Sequence, residues 1–205
     1  MPPLENQGAG PAFVQAVFIL WQRRKMPNQN KGKMNTKRIA TDAVLAAMCV
    51  ALGIFSIDLG NIKLSFESFP IIAGAFLLGP LDGILIGFIG MFIVQMVNYG
   101  FSLTTALWIL PYVICGAAAG LIAKKKPDFI KGAKLFASIF ICELAISLFN
   151  TLAIFVDSKI YGWYYPALIA GSLLLRLACA ALRTALYGII IPAVIKAVKK
   201  ISNKK

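Results

Sequence analysis

The sequence of 205 residues contains no histidine and only eight acidic residues. Without histidine the chain lacks the commonest metal ligand and the side chain best suited to general base catalysis near neutral pH. The cysteines form no CxxC pair, so the sequence indicates neither a zinc site nor a disulfide framework. We therefore expect no metal ion, and we expect buried thiols at four positions: Cys49, Cys115, Cys142 and Cys179.

Sequence motifs of the common hydrolases are also missing. The chain has no GxxxxGK[ST] sequence, so it cannot use ATP by the P-loop route. It has neither the GxSxG sequence of serine hydrolases nor the HExxH sequence of zinc proteases. The sequence accordingly predicts no catalytic residues, no enzymatic activity and no cofactor of its own.

Apolar residues dominate what is present, at 59% of the chain, with a mean hydropathy of +0.78. Such a composition is typical of integral membrane proteins. The pattern predicts an all-α membrane protein with six transmembrane helices, the second of them short for a span. Their approximate bounds are 39–57, 66–78, 81–97, 105–123, 135–156 and 167–195.

The first 33 residues do not resemble the rest of the chain. Their one apolar run, at 12–21, is too short to span a bilayer, and the charges follow it rather than precede it as in a signal peptide. Met34 begins a short basic leader directly before the first predicted span. We expect residues 1–33 to be a disordered or mis-annotated extension, with translation starting at Met34 or Met26, and 34–205 to form the membrane domain.

The net charge of +13 is distributed unevenly between the two ends of the predicted spans. The segment through Arg38 holds seven Lys and Arg residues, and the loop after the fourth span and the C-terminal tail hold five each. The alternate loops hold two, Lys63 and Lys159. By the positive-inside rule both termini are predicted to be cytoplasmic, in a multi-pass membrane protein. The basic charge is thus a topology signal and does not indicate nucleic-acid binding.

Charges inside membrane spans are costly and usually functional, and the clear cases here are Glu143, Arg176 and Arg183. Glu143 and Arg183 lie at similar depths from the cytoplasmic ends, roughly 15 and 18 Å at 1.5 Å per residue. We expect them to form a buried structural ion pair. Arg176 lies nearer the outer side and is a natural counter-ion for an anionic group on a ligand, because its guanidinium binds a carboxylate through two hydrogen bonds.

Polar and aromatic residues gather in the outer half of the third, fourth and fifth spans. They predict an outward-facing substrate pocket, roofed by the aromatic loop at 161–165, and with Arg176 the predicted pocket residues are Gln95, Asn98, Trp108, Tyr112 and Asn150. For Trp163, Tyr164 and Tyr165 an interfacial aromatic belt that needs no ligand is an equally good interpretation. Glu67, one residue inside the second apolar stretch, is expected at the membrane interface.

Small residues repeat every four positions in the first span, at Ala43, Ala47 and Ala51. Such a stripe makes a flat helix face that allows another helix to approach closely. The partner could be another protein or another helix of this chain, and the pattern alone leaves both open. Gly83 and Gly87 form a similar pair in the third span, after a turn at Gly79 and Pro80.

Three stretches resemble the substrate-binding S components of energy-coupling factor (ECF) vitamin transporters. They are the Ala43-x-x-x-Ala47 stripe, the segment 63–83 (KLSFESFPIIAGAFLLGPLDG) and the segment 103–108 (LTTALW) with Gly116 to Gly120. The second and third are similar to the folate-type branch. The resemblance extends over about residues 34–205.

The resemblance implies a non-catalytic subunit in a bacterial cell membrane, which captures a small vitamin outside the cell. The alanine stripe would dock on a transmembrane coupling subunit associated with two cytoplasmic ATPases, which use the ATP. The loop 58–65 would act as a lid, and an anionic substrate such as folate or pantothenate would suit Arg176. The alternative is a small ion-coupled secondary transporter working without ATPases, for which Glu143 is the best candidate ion site.

Overall fold

The computed structural model describes residues 36–58, 63–125 and 132–202. They form six helices: α1 (Thr36–Ile54), α2 (Ser68–Leu78), α3 (Pro80–Tyr99), α4 (Thr105–Lys125), α5 (Gly132–Ile160) and α6 (Pro166–Ser202). A minimal antiparallel hairpin, β1 (Ile57–Asp58) and β2 (Lys63–Leu64), joins α1 to α2. The predicted helical architecture is confirmed, and the predicted extension 1–33 lies outside the described residues.

Four of these helices are long and apolar enough to cross a membrane: α3, α4, α5 and the part of α6 at Leu174–Ile195. The second helix, α2, has 11 residues and is about 16 Å long, which is well short of the ~30 Å hydrocarbon layer. Most of its residues are buried by its neighbours, as expected of a short helix held inside a bundle. Length and composition thus support four crossings directly.

The reversal between α2 and α3 is made by Gly79 and Pro80. Gly79 has φ +117°, a conformation that favours glycine, and its N–H still donates to Ala75 O at 3.0 Å. Pro80 then occupies the first turn of α3, where its missing N–H costs no helical hydrogen bond. The two apolar helices therefore reverse direction with a single residue between them.

An ion pair fastens the start of α1 to this reversal. The guanidinium of Arg38 donates from Nη2 to Asp82 Oδ2 at 2.6 Å and from Nε to Asp82 Oδ1. Asp82 is 1% exposed, so its carboxylate depends on this partner. This bidentate ion pair holds the start of α1 against the first turn of α3 in one orientation.

Helices α3 and α4 approach each other through facing glycines. A Cβ atom at Gly83 would lie 2.5 Å from the carbonyl oxygen of Gly116, and one at Gly87 would lie 3.0 Å from that of Tyr112. A residue with a side chain would collide with the facing backbone at these positions, so the close contact requires glycine. It is the close backbone approach for which small residues at four-residue spacing are suited.

Replacing Gly116 with valine is therefore expected to lower the stability of the bundle by about 3 kcal/mol, since the added atoms collide with backbone rather than with a movable side chain. Thermal unfolding of the purified protein in detergent measures this change. Ala106→Val is the matched control, because Ala106 is exposed on the same helix. Equal unfolding temperatures for the two variants would contradict the tight α3–α4 contact.

The buried core surrounds α2 and includes side chains from all of the other five helices. Its fully enclosed members include Ile71, Ile72, Ile86, Leu135, Ile139, Ile146 and Tyr187. All four cysteines are buried thiols. Large apolar side chains also cover the outside of the helices, as at Leu174 (80% exposed) and Ile189 (68% exposed). Such an apolar exterior suits a bundle surrounded by lipid.

Candidate functional site

A cavity of about 530 Å³ lies between the hairpin, the second halves of α3 and α5, and the first halves of α4 and α6. All six residues predicted for the pocket line this one cavity: Gln95, Asn98, Trp108, Tyr112, Asn150 and Arg176. They come from four helices, so the packing of the bundle and not their proximity in sequence brings them together. Their contact with a ligand stays a prediction.

The aromatic loop after α5 contributes to the cavity in part. Tyr161 and Trp163 line it, as expected of a roof. Tyr164 instead packs edge-on against Phe155, with ring centroids 5.5 Å apart, and Lys159 Nζ lies 4.1 Å from the Tyr164 ring centroid. Trp163 therefore lies on the cavity side and Tyr164 packs within the loop itself, while the interfacial belt stays a prediction.

The hairpin that was predicted to act as a lid reaches the cavity through Lys63 and Ser65. Its two pairs are Ile57 with Leu64 and Asp58 with Lys63, and residues 59–62 lie outside the described residues. Lys63 Nζ also lies 5.0 Å from the centroid of the Tyr99 ring, a cation–π contact that joins the hairpin to the end of α3. Sequence reasoning missed Lys63 as a lining residue, although it is the sole basic residue of its loop.

Glu67, expected at the membrane interface, faces the cavity inside the bundle, and its depth in the membrane stays a prediction. Glu67 is 7% exposed and lines the cavity, and its Oε1 accepts a hydrogen bond from the Tyr112 hydroxyl at 2.6 Å. The reason is that α2 is enclosed by its neighbours, so a residue directly before its first turn faces protein rather than lipid headgroups. Asn150 extends the contact, with Nδ2 3.5 Å from Tyr112 Oη, the outer limit of a hydrogen bond.

Glu143 and Arg183 meet beside the cavity. Arg183 Nε lies 2.9 Å from Glu143 Oε2, and Glu143 is fully buried. Arg183 also lines the cavity, and its Nη1 lies 3.5 Å from the carbonyl oxygen of Ser65 at the end of the hairpin. The structure thus brings the two charges together as predicted from their depth, and places their pair between α5, α6 and the predicted lid.

Charges of both signs line the cavity. The cations are Lys63, Arg176 and Arg183, and the carboxylates are Glu67 and Asp157. Asp157 accepts a hydrogen bond from the Thr104 hydroxyl, which ties the end of α5 to the start of α4. Across the described parts of the chain, no group of three potential ligands is arranged to hold a metal ion. The cavity lining therefore offers both donors and acceptors of hydrogen bonds, beside aromatic walls.

The predicted docking residues Ala43, Ala47 and Ala51 all lie on the exposed face of α1. The opposite face of the helix buries Leu45 and Cys49 in the core. Packing among the described residues of the chain therefore does not use the stripe. A flat, small-residue surface is left facing outward.

Comparison with known proteins gives two results. Residues 37–199 match the family model described as "ECF transporter, substrate-specific component". A solved structure reported as "Structure and mechanism of the S component of a bacterial ECF transporter" is similar in fold, with a TM-score of 0.56 at 17% sequence identity, over 82% of this chain and 98% of the other.

A search of curated proteins found no significant match. The family match covers most of the chain and all six helices, and the similarity in fold agrees with it. The suspected resemblance to S components is therefore confirmed, and the chain belongs to the family of substrate-specific components of ECF transporters.

Proposed function

We propose that this chain captures a small water-soluble vitamin outside the cell, with high affinity, for ATP-driven uptake. Folate, pantothenate or a related anionic compound fits the proposal. The observation that carries it is the cavity of about 530 Å³, within the ~300–1,000 Å³ typical of ligand pockets. Arg176 and Lys63 supply positive charge there, and Trp108 and Tyr112 supply flat apolar walls.

The proposed topology has six crossings, with both termini in the cytoplasm of a bacterium. The positive-inside bias supports it, as do the four long apolar helices and the enclosure of α2. Pairing of Arg38 with Asp82 reduces the cost of placing these charges at the starts of α1 and α3. In this topology the cavity, which lies at the end of α3 and the start of α4, faces outward.

Uptake in this proposal requires partners. The outward-facing stripe of Ala43, Ala47 and Ala51 would dock on a transmembrane coupling subunit, and two cytoplasmic ATPases would hydrolyse the ATP. The exposure of all three alanines supports this step, because small residues allow a partner helix to approach the backbone of α1. The chain itself would be a non-catalytic binding subunit.

Native mass spectrometry of the protein purified in mild detergent from cells grown in rich medium tests the capture step. We expect a bound mass matching a vitamin, and at least a tenfold loss of affinity in Arg176→Gln, since charge-assisted hydrogen bonds contribute about 1.5–3 kcal/mol. Lys125→Gln is the control, because Lys125 is an exposed cation at the far end of α4. Wild-type protein that carries no cargo and binds none of the water-soluble vitamins would contradict the proposal.

The second candidate function is ion-coupled secondary transport, which the fully buried Glu143 favours. It predicts proton-driven uptake by the chain alone in liposomes. Reconstitution without ATPase subunits distinguishes the two functions: uptake that follows an imposed pH gradient and disappears in Glu143→Gln would support the secondary transporter.

A further inference from the structure

A groove of about 460 Å³ lies at the end of the bundle opposite the candidate substrate cavity. It is formed by the start of α1, the end of α2, the first residues of α3 and the last turns of α4. Leu81 in the groove and Gln95 in the substrate cavity are separated by roughly 21 Å along α3, at 1.5 Å per residue. The groove is therefore a second site, separate from the candidate substrate cavity.

Two cations line this groove, Arg38 and Lys124. Arg38 holds Asp82 through Nε and Nη2, which uses two of the five N–H bonds of its guanidinium. The Asp82 side chain is 1% exposed and that of Arg38 is 38% exposed, so the carboxylate is enclosed while the guanidinium reaches the surface. Lys124 is exposed in the last turn of α4. Among the described residues that line the groove none is acidic, so its lining is positively charged.

The remaining side chains of the groove are apolar: Phe76, Leu77, Leu78, Leu81 and Ala123, beside Pro80. Leu81 is 62% exposed, so this apolar surface continues to the outside of the bundle. On α4, Leu121 is 45% exposed and lies three residues before Lys124, which places the two side chains on the same helix face. Cations at one end of an apolar surface match a molecule that has an anionic head and a hydrocarbon tail.

The position of the groove favours a lipid over a soluble anion. In the proposed topology it lies at the cytoplasmic surface of the membrane, where α2 ends and the basic loop after α4 begins. Phospholipid headgroups occupy this level, and Lys and Arg near the membrane surface attract the anionic ones. A free phosphate ion could contact the two cations, but it would leave the apolar walls without a partner.

We propose that this groove is a binding site for an anionic phospholipid. The phosphate accepts hydrogen bonds from Arg38 and Lys124, and an acyl chain lies along the apolar surface that begins at Leu81. Because Asp82 holds the guanidinium of Arg38 in place, one half of the phosphate site is formed before the lipid binds. The inference goes beyond substrate capture and rests on the proposed function only for the topology that puts the groove at the cytoplasmic surface.

Native mass spectrometry of the full-length protein in detergent, titrated with two lipids that have the same acyl chains, tests the proposal. The lipids are dioleoylphosphatidylglycerol, which is anionic, and dioleoylphosphatidylcholine, which is zwitterionic. We expect at least about fivefold tighter binding of phosphatidylglycerol, and about a fivefold loss of that affinity in Lys124→Gln, the usual contribution of one basic residue at a membrane surface. Lys125→Gln is the matched control, because Lys125 is exposed on the same turn and does not line the groove. Its affinity should change by less than about twofold.

Equal losses of affinity in Lys124→Gln and Lys125→Gln would show diffuse attraction to a basic surface and would overturn the site. Equal affinity of the wild-type protein for the two lipids would also overturn it, and failure of Lys124→Gln to co-purify with a coupling subunit would then assign the groove to a protein partner. Displacement of phosphatidylglycerol by equimolar inorganic phosphate would assign it to a soluble anion. Vitamin binding by the same samples is a separate readout, so the lipid site and the proposed capture function can fail independently.

Discussion

Leucine at both Ala43 and Ala47 is expected to reduce vitamin uptake by whole cells to background while ligand affinity changes by less than twofold. Both residues lie on the exposed face of α1, away from the cavity, so bulky side chains there would not disturb the ligand site. They would prevent a partner helix from approaching the backbone. Uptake of radiolabelled vitamin and binding to purified protein are the two measurements.

The matched control is the pair Ala181→Leu and Ala185→Leu. These alanines have the same four-residue spacing and are also exposed, on α6. We expect normal uptake from this control. Loss of ligand binding in the Ala43/Ala47 variant would show that the stripe serves internal packing, and equal loss of uptake in both double variants would show a nonspecific effect on the bundle.

Arg183→Leu is expected to destabilise the protein by about 3–5 kcal/mol, because it leaves the fully buried carboxylate of Glu143 without its cation. Replacing both residues, as in Glu143→Leu with Arg183→Leu, should restore most of that stability, since two apolar side chains leave no buried charge. Thermal unfolding in detergent without ligand gives the comparison.

The double variant also addresses the role of the pair. Stability equal to or lower than that of Arg183→Leu would mean that the two charges do not depend on each other. A stable double variant that still supports ATP-driven uptake would show that the Glu143–Arg183 pair has a structural role only. A stable double variant that has lost proton-driven uptake would instead assign Glu143 to ion coupling.

The helices and the six predicted pocket residues could be inferred from local features. Pro80 and the charged loop after α4 mark helix ends directly in the sequence, and depth along each span places Gln95, Trp108 and Asn150 in the same outer half. Residues at equal depth in a small bundle are close together, so their depth along the spans was enough to predict that they line one cavity.

Lys63, Glu67 and Asp157 were missed as lining residues for a common reason. Each lies at or near the end of an apolar stretch, where a charge is usually explained by contact with water or headgroups. Their inward orientation depends on how the hairpin folds over the bundle and how α2 is enclosed. Both are tertiary features, and neither leaves a periodic signal in the sequence. The hydrogen bond from Tyr112 to Glu67 is likewise a contact between distant segments that no local pattern encodes.

The spacing of the alanine stripe could be read from the sequence, but the direction in which it faces could not. The ion pair between Arg38 and Asp82 sets the rotational phase of α1 about its own axis. A helix turns by about 100° per residue, so an insertion or deletion of one residue between Arg38 and Ala43 would swing the alanine face a quarter-turn or more away. The direction of the alanine face therefore depends on the number of residues between Arg38 and Ala43 more than on which side chains those residues carry.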